Sequence, residues 1–218
     1  MILGIDTSLG SAVAVVEPDG VVRSQRESLD PRGHAEVIGS LIQEALAEAS
    51  VTAAEITHVA AGMGPGPFTG LRVGIAAART FALGRGIPVV PVVSHDAVAL
   101  ELLLHEALHA GFDAEDRSFA VVTDARRREF AFTVYRGIDD GGLPIRLAEP
   151  ALAPRDELDA VLSRDGVERR DAERIPAALL ALAAARAIAA RRTIGPDDAL
   201  YLRSPDVTMP GAPKRVSA

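Results

Sequence analysis

The chain has 218 residues, 48% of them hydrophobic and 24% charged, and a formal net charge of −7. That balance excludes a disordered chain and fits a folded protein with a sizeable core, as one large domain or two modest lobes. The absence of cysteine excludes disulfides, thiolate metal sites and cysteine nucleophiles, and the acidic balance argues against gripping nucleic acid unaided, which needs a basic face.

The opening Met1–Asp6 carries no basic segment and reaches an acid at once, so no signal peptide is expected. No apolar run approaches the ~20 residues that span a bilayer, and a cytoplasmic protein is the expectation. Ile2 to Asp6 reads as a strand ending in Asp6-Thr7-Ser8. Ala12 to Val16 and the run from Val21, joined by a Pro18-Asp19-Gly20 turn, complete a three-strand meander. The next segment is helical: Val37, Ile38, Leu41, Ile42, Ala45, Leu46 and Ala49 fall on one face, and Glu36, Ser40, Gln43, Glu44 and Glu48 on the other. Ile56 to Ala61 reads as a buried strand.

The loop from Gly62 to Gly70 then joins this strand to a helix. It is neither a Walker loop, since no Lys-Ser/Thr follows Gly70, nor a dinucleotide fingerprint. It reads equally as an anion cradle at a helix N-terminus and as a tight turn that lets a helix pack on the sheet. In the helix, Gly70, Gly74 and Ala78 recur at every fourth residue ahead of Phe81, a ridge that suits close approach of a backbone, either its own sheet or a partner helix.

Ala97 to Ala110 predicts a connecting helix, and a familiar order then returns. Phe119 to Thr123 is an apolar run ending in Asp124, Phe130 to Tyr135 follows, then the Asp140-Gly141-Gly142 turn, Ile145 to Ala148, and a helix over Asp156 to Leu162. A β-β-β-α unit occurring twice predicts an α/β fold of two lobes, divided as 1–97 and 98–200, with the 201–218 tail rejoining the first. After Leu162 the second unit offers only Ser163 to Val167 and charged residues, so its late strand and any glycine loop are expected to be missing. Ala177 to Ala190 is an alanine-rich helix, Tyr201 to Val207 reads as extended, and the tail from Pro210 as loose.

Several constellations bear on chemistry. Asp6, Thr7 and Ser8 at a strand end, with Asp124 at the equivalent place in the second unit, suit a nucleotide phosphate or its metal, and are equally good turn chemistry. His105-Glu106-Ala107-Leu108-His109 has the H-E-x-x-H form of a zinc-protease helix. It lacks a third ligand at the metzincin spacing, where Glu115 stands in place of histidine, and Gly111 stops the helix early, so a solvated helix edge is the plainer reading. Ser94-His95-Asp96 are sequence neighbours and cannot adopt triad geometry. Arg126-Arg127-Arg128 is the one dense basic run, read as a solvated loop.

Taken together, Gly4-Ile5-Asp6-Thr7-Ser8, Gly33-His34-Ala35-Glu36, the run Gly62-Met63-Gly64-Pro65-Gly66-Pro67-Phe68-Thr69-Gly70-Leu71-Arg72-Val73-Gly74, Asp124-Ala125-Arg126 and Tyr201-Leu202-Arg203 resemble the TsaB (YeaZ) family. The likeness is dense from Met1 to about Val98, patchy to Ala151, and returns near Tyr201; Pro67 replaces the usual serine. The resemblance implies the actin-like ATPase (ASKHA, ribonuclease-H-like) fold. It implies a non-catalytic subunit of bacterial tRNA modification that dimerises with TsaD, the transferase placing threonylcarbamoyl on adenosine at position 37 of tRNAs. TsaE joins them, a homodimer forms otherwise, and tRNA is met only indirectly. It puts the partner surface on the first two helices, giving His34, Val37, Ile38, Leu41 and Ala45 with Phe68, Leu71, Gly74, Ala78 and Phe81. No cofactor is expected in the isolated chain, with ATP or ADP placed at the complex interface. The metal-binding His-x-x-x-His of TsaD follows the strand that here is Val89 to Val93, and aligning on it puts Ser94 and Val98 in the ligand slots, a set that cannot hold the metal. The alternatives left open are a zinc hydrolase on His105, Glu106 and His109, and a stand-alone phosphotransferase using Asp6, Thr7 and Asp124.

Overall fold

A strand buried at every residue has to sit in the middle of a sheet, and Ile2–Asp6 (β1) does so. The computed structural model describes residues 1–30, 33–110 and 117–203. In it β1 lies antiparallel to Ser11–Val16 (β2), which pairs with Val22–Ser28 (β3), and parallel to His58–Gly62 (β4), which pairs with Val89–Val92 (β5). The order is β3-β2-β1-β4-β5. The two parallel crossovers run through helices His34–Glu48 (α1) and Phe68–Arg85 (α2), as parallel pairing requires. Strand alternation sends Leu3, Ile5, Val13, Val15, Val59 and Ala61 to the face these helices cover. The expected strand Ile56 to Ala61 begins two residues late, because a 3₁₀ turn over Ala53–Glu55, closed by a Thr52–Glu55 capping box, precedes it.

The second half builds the same sheet. Phe119–Asp124 (β6) pairs antiparallel with Glu129–Ile138 (β7), whose far edge is taken by two short strands, Pro144–Arg146 (β8) and Ala151–Pro154 (β9). On the other side Glu168–Asp171 (β10) runs parallel to β6, as β4 does to β1. The late strand expected to be missing is therefore present. Its sequence, Glu-Arg-Arg-Asp, hides it: this is an exposed edge held by Arg169 to Asp159 and Asp171, and by Arg170 to Glu106, rather than by apolar alternation. Leu158–Arg164 (α4) covers the outer face through Leu158 and Leu162 on Ala120 and Val122.

Helices Ser94–Ala110 (α3) and Ala177–Ala190 (α5) lie between the sheets in one continuous core. The second-half helix α5 packs on the first sheet, while α3 packs on the second. Small alanine side chains let α5 lie close against β1 and β2; eight of its residues are buried. The division expected at 97/98 falls inside α3, which starts at Ser94, three residues before the sequence pattern shows it. Of the expected extended run Tyr201 to Val207, residues 201–203 are described and form no strand; the rest, with the tail from Pro210 and Gly111, lies outside the described residues. Among the described residues no helix is long and apolar enough to cross a membrane.

Candidate functional site: the cleft between the sheets

Equivalent strands in equivalent sheets put Asp6 and Asp124 at the same end of the molecule. Between them lies a cavity of about 270 Å³. Its walls are Ser8, the 65–68 stretch of the glycine–proline loop, the Thr123–Arg127 turn, Leu152, and Tyr201 to Arg203.

The two aspartates differ in kind. Asp6 is buried: its Oδ1 accepts the Ser8 amide at 2.7 Å, and its Oδ2 accepts the Ser94 hydroxyl at 2.5 Å and the Ser8 hydroxyl at 3.2 Å. Burial raises its pKa above the usual carboxylate value, against the opposing pull of those hydrogen bonds. The fit leaves no space: a Cβ on Gly62 would stand 1.8 Å from Asp6 Oδ2. Ser94 also accepts the Gly64 amide at 3.0 Å, tying α3 to the loop. Thr7 donates to the Gly70 carbonyl at 2.7 Å and accepts the Gly74 amide at 2.9 Å, so it pins α2 to β1. Of the three, only Ser8 reaches the cavity wall. Asp124 is open to solvent, and although partial burial acts upward, the Arg126 amide and the Arg155 guanidinium at 2.5 Å hold its carboxyl below the usual range.

The residues expected on a partner surface divide the same way. His34, Ile38, Leu41, Ala45, Leu71, Gly74 and Ala78 are buried within the chain, while Val37, Phe68 and Phe81 are half-buried. The Gly70-Gly74-Ala78 ridge was open to two readings, its own sheet or a partner helix, and the contacts at Gly70 and Gly74 are with this chain's own residues. A Cβ on Gly74 would lie 2.2 Å from Thr7 Oγ1 and one on Gly70 2.5 Å from the Thr7 carbonyl, so the ridge faces β1. His34 Nδ1 meets Ser11 Oγ at 2.8 Å and fixes α1 to β2. Phe68 stacks between Tyr201, with ring centroids 4.7 Å apart, and the Arg72 guanidinium, 3.8 Å above its ring.

The neighbours Ser94, His95 and Asp96 point three ways, as a helix start allows. His95 is buried between Thr133 Oγ1 at 2.8 Å and Thr123 Oγ1 at 3.0 Å, and burial lowers its pKa to about 3. Asp96 accepts from Tyr135 at 2.8 Å and pairs with Arg146 at 3.1 Å; burial outweighs both and lifts its pKa to about 7. These anchors went unseen in the sequence. Their one signal was three polar residues in a row between apolar Val93 and Ala97.

The side chains at the candidate metal slots have other partners. Ser94 Oγ is committed to Asp6, Val98 lies in the shared core, and both His95 nitrogens are taken by threonines. The H-E-x-x-H segment fares no better. Glu106 pairs with Arg170, His109 Nδ1 bonds the His105 carbonyl, and the described residues contain no group of three side chains placed to hold a metal.

Two sheets of matching strand order, strand-end aspartates on one cleft and helices packed between the sheets define an actin-like ATPase (ASKHA) fold. A family model described as TsaD, tRNA N6-adenosine threonylcarbamoyltransferase, matches residues 23–142. An uncharacterized protein of Mycobacterium tuberculosis is 39% identical over 136 residues, covering 62% of this chain and 58% of that protein. A tRNA N6-adenosine threonylcarbamoyltransferase of Streptococcus pneumoniae is 41% identical over 107 residues, covering 42% of this chain and 32% of the relative. The chain thus spans less than two thirds of the length of these curated relatives. Among solved structures, a Pseudomonas aeruginosa protein described as similar to peptidase YeaZ superposes with a TM-score of 0.72 at 22% identity, covering 93% of this chain and 99% of its own. YeaZ of the same organism gives 0.70 at 20% identity, covering 89% and 94%. The chain belongs to the TsaD family, with the fold of its YeaZ (TsaB) members.

Proposed function

We propose that this protein is the non-catalytic partner of TsaD in forming threonylcarbamoyladenosine at position 37 of tRNAs. What supports the reading is that Ser94, whose hydroxyl is hydrogen-bonded to Asp6, and core Val98 stand at the positions where the resemblance puts the transferase's metal ligands. A chain with these residues supports the chemistry of another subunit. In this reading TsaE joins the pair, nucleotide sits at the interface of the complex, and the other subunits hold the tRNA, in keeping with a net charge of −7. It acts in the cytoplasm.

The outer surface of α1 and α2 supports the pairing. Gly39 and Gly84 lie in these helices, and a Cβ at either would meet open space, with no atom within 4 Å. A glycine in a helix costs about 1 kcal/mol relative to alanine, so glycine at such open positions is explained by a backbone approaching from outside. On this surface α1 exposes Glu36, Glu44 and Glu48, and α2 exposes Arg72, Arg79 and Arg85. A two-fold pairing that crosses α1 with its counterpart's α2 sets unlike charges together, and the same surface would make a homodimer when TsaD is absent.

Size-exclusion chromatography with light scattering, mixing this protein with TsaD, tests the proposal. A one-to-one complex at roughly micromolar concentration, abolished by Phe81→Arg plus Gly39→Arg in a variant that stays folded, is the expected result. Absence of a complex with the unaltered protein at that concentration sinks it.

A further inference from the structure

Beyond α5 the chain forms no helix or strand, yet residues 194–203 are fastened along their length. Arg146 of β8 donates to the Ile194 carbonyl, and Gly195 lies so close to β5 that a Cβ would stand 2.6 Å from the Pro91 carbonyl oxygen. The segment then crosses α2. Arg79 donates to the Asp197 carbonyl, Ala199 packs on the core of the first half, and the Leu200 amide donates to the Met63 carbonyl at 2.8 Å. Tyr201 stacks on Phe68 and accepts from Arg72 Nε at 3.4 Å, and Arg203 pairs with Glu129 at the start of β7. A strap thus leaves the second half, is pinned to α2 and returns to the second half. Its end, Tyr201 to Arg203, is part of the cavity wall.

The two pins on α2 are of a particular kind. Arg72 and Arg79 are exposed, and each gives a charged donor to a neutral acceptor, a phenol hydroxyl and a backbone carbonyl. A carboxylate takes a guanidinium through two parallel hydrogen bonds and with opposite charge, which is the stronger arrangement. Arg72 and Arg79 are also two of the three cations that α2 offers to the partner proposed above. Strap and partner therefore draw on the same side chains. Arg72 lies 3.8 Å above the Phe68 ring on which Tyr201 stacks, so a movement of Arg72 disturbs both contacts. Of residues 194–203 only Ile194 is buried, and a segment with few buried side chains opens locally at low cost.

We propose that the strap couples the partner surface to the cavity: a carboxylate-bearing partner on α2 takes Arg72 and Arg79 from Tyr201 and Asp197, and residues 197–203 then leave the cavity wall. The inference rests on the pairing proposed above. Coupling between two sites is reciprocal, so a strap loosened without harm to the arginines favours pairing.

The chain has two tyrosines, Tyr135 buried in the shared core and Tyr201 on the strap. Labelling the full chain with fluorotyrosine gives two fluorine resonances, assigned with Tyr201→Phe. In the isolated protein, Arg72→Ala plus Arg79→Ala should move the Tyr201 resonance towards that of free fluorotyrosine and speed exchange of the Leu200 amide at least about tenfold. The Tyr135 resonance should stay in place, which reports an intact fold. Adding TsaD to the unaltered protein should produce the same two changes. Tyr201→Ala, which removes the strap's hold on Arg72, should tighten the complex about threefold or more. The coupling is overturned by a Tyr201 resonance unmoved in the double variant, by a one-to-one complex in which the strap signals do not change, or by weaker pairing of Tyr201→Ala. Absence of any complex fails the pairing, and the coupling with it; a complex with an unmoved strap fails the coupling alone.

Discussion

Asp6 and Asp124 end equivalent strands of equivalent sheets, yet one is a buried fastening and the other a solvent-facing carboxylate paired with Arg155. The first half has turned its strand-end polar residues inward: Asp6 holds α3 through Ser94, and Thr7 holds α2. The second half keeps its own outward, with Asp124 paired to Arg155 and followed by the arginine turn. Identical topology therefore does not impose identical use. A strand-end carboxylate becomes structural when glycines bring other elements onto it and hydroxyls satisfy it, and it remains available when its neighbours are charged and exposed.

The contrast can be broken most forcefully at Asp6. Asp6→Ala strands the buried Ser8 amide and Ser94 hydroxyl, and should cost about 4 kcal/mol of unfolding free energy in urea titrations. Gly62→Ala drives a methyl group into the Asp6 carboxylate, and about 3 kcal/mol should be lost by overpacking. Next come the two titrating anchors of α3. His95, with its pKa depressed to about 3, contributes stability that is present above pH 6.5 and lost as pH falls towards 3. Asp96, raised to about 7, contributes stability that is present below its ordinary value near 3.8 and lost as pH rises through 7. The two slopes oppose each other between roughly pH 4 and 6.5. Asp96→Asn should therefore steepen the rise of stability with pH in that window by about 1.4 kcal/mol per unit relative to the unaltered protein, read from urea midpoints at several pH values. Asp124→Ala should cost less than about 1 kcal/mol, as exposed ion pairs do; a loss comparable with that of Asp6→Ala would erase the distinction between the halves. The smallest effect belongs to His105→Ala with His109→Ala. Both side chains are exposed, so stability should change by about 0.5 kcal/mol or less, and equilibrium dialysis should show the same zinc content before and after the change.

Much of the fold was legible because the core strands are short apolar runs with turn residues between them; Ile2 to Asp6 and Phe119 to Thr123 announced both sheets. The strand β10 was not, because an edge stabilised by ion pairs carries no apolar signature. The site was half legible. Asp6, Thr7, Ser8 and Asp124 were picked out by position at strand ends, but their opposite orientations depend on Ser94, 88 residues from Asp6 in the chain. The Gly70-Gly74-Ala78 ridge shows why spacing alone misleads. Small residues every fourth position promise a close neighbour without saying which, and the neighbour is Thr7 of the same chain. The arginine turn was visible as composition, while its left-handed backbone and its place on the cavity wall follow only from the hairpin between β6 and β7.

The placement of α5 on the first sheet has a consequence for how the molecule is made. Ile2, Ala14, Val16 and Ala60 belong to the core that Ala177, Ala181 and Ala184 complete. On the ribosome the first sheet can assemble with α1 and α2 as soon as its strands emerge, but its inner face stays uncovered until the chain from Val93 to Ala177 and beyond has been translated. The polypeptide is thus stitched shut by α5, and a nascent chain halted before Ala177 would present a sticky apolar surface to chaperones and proteases.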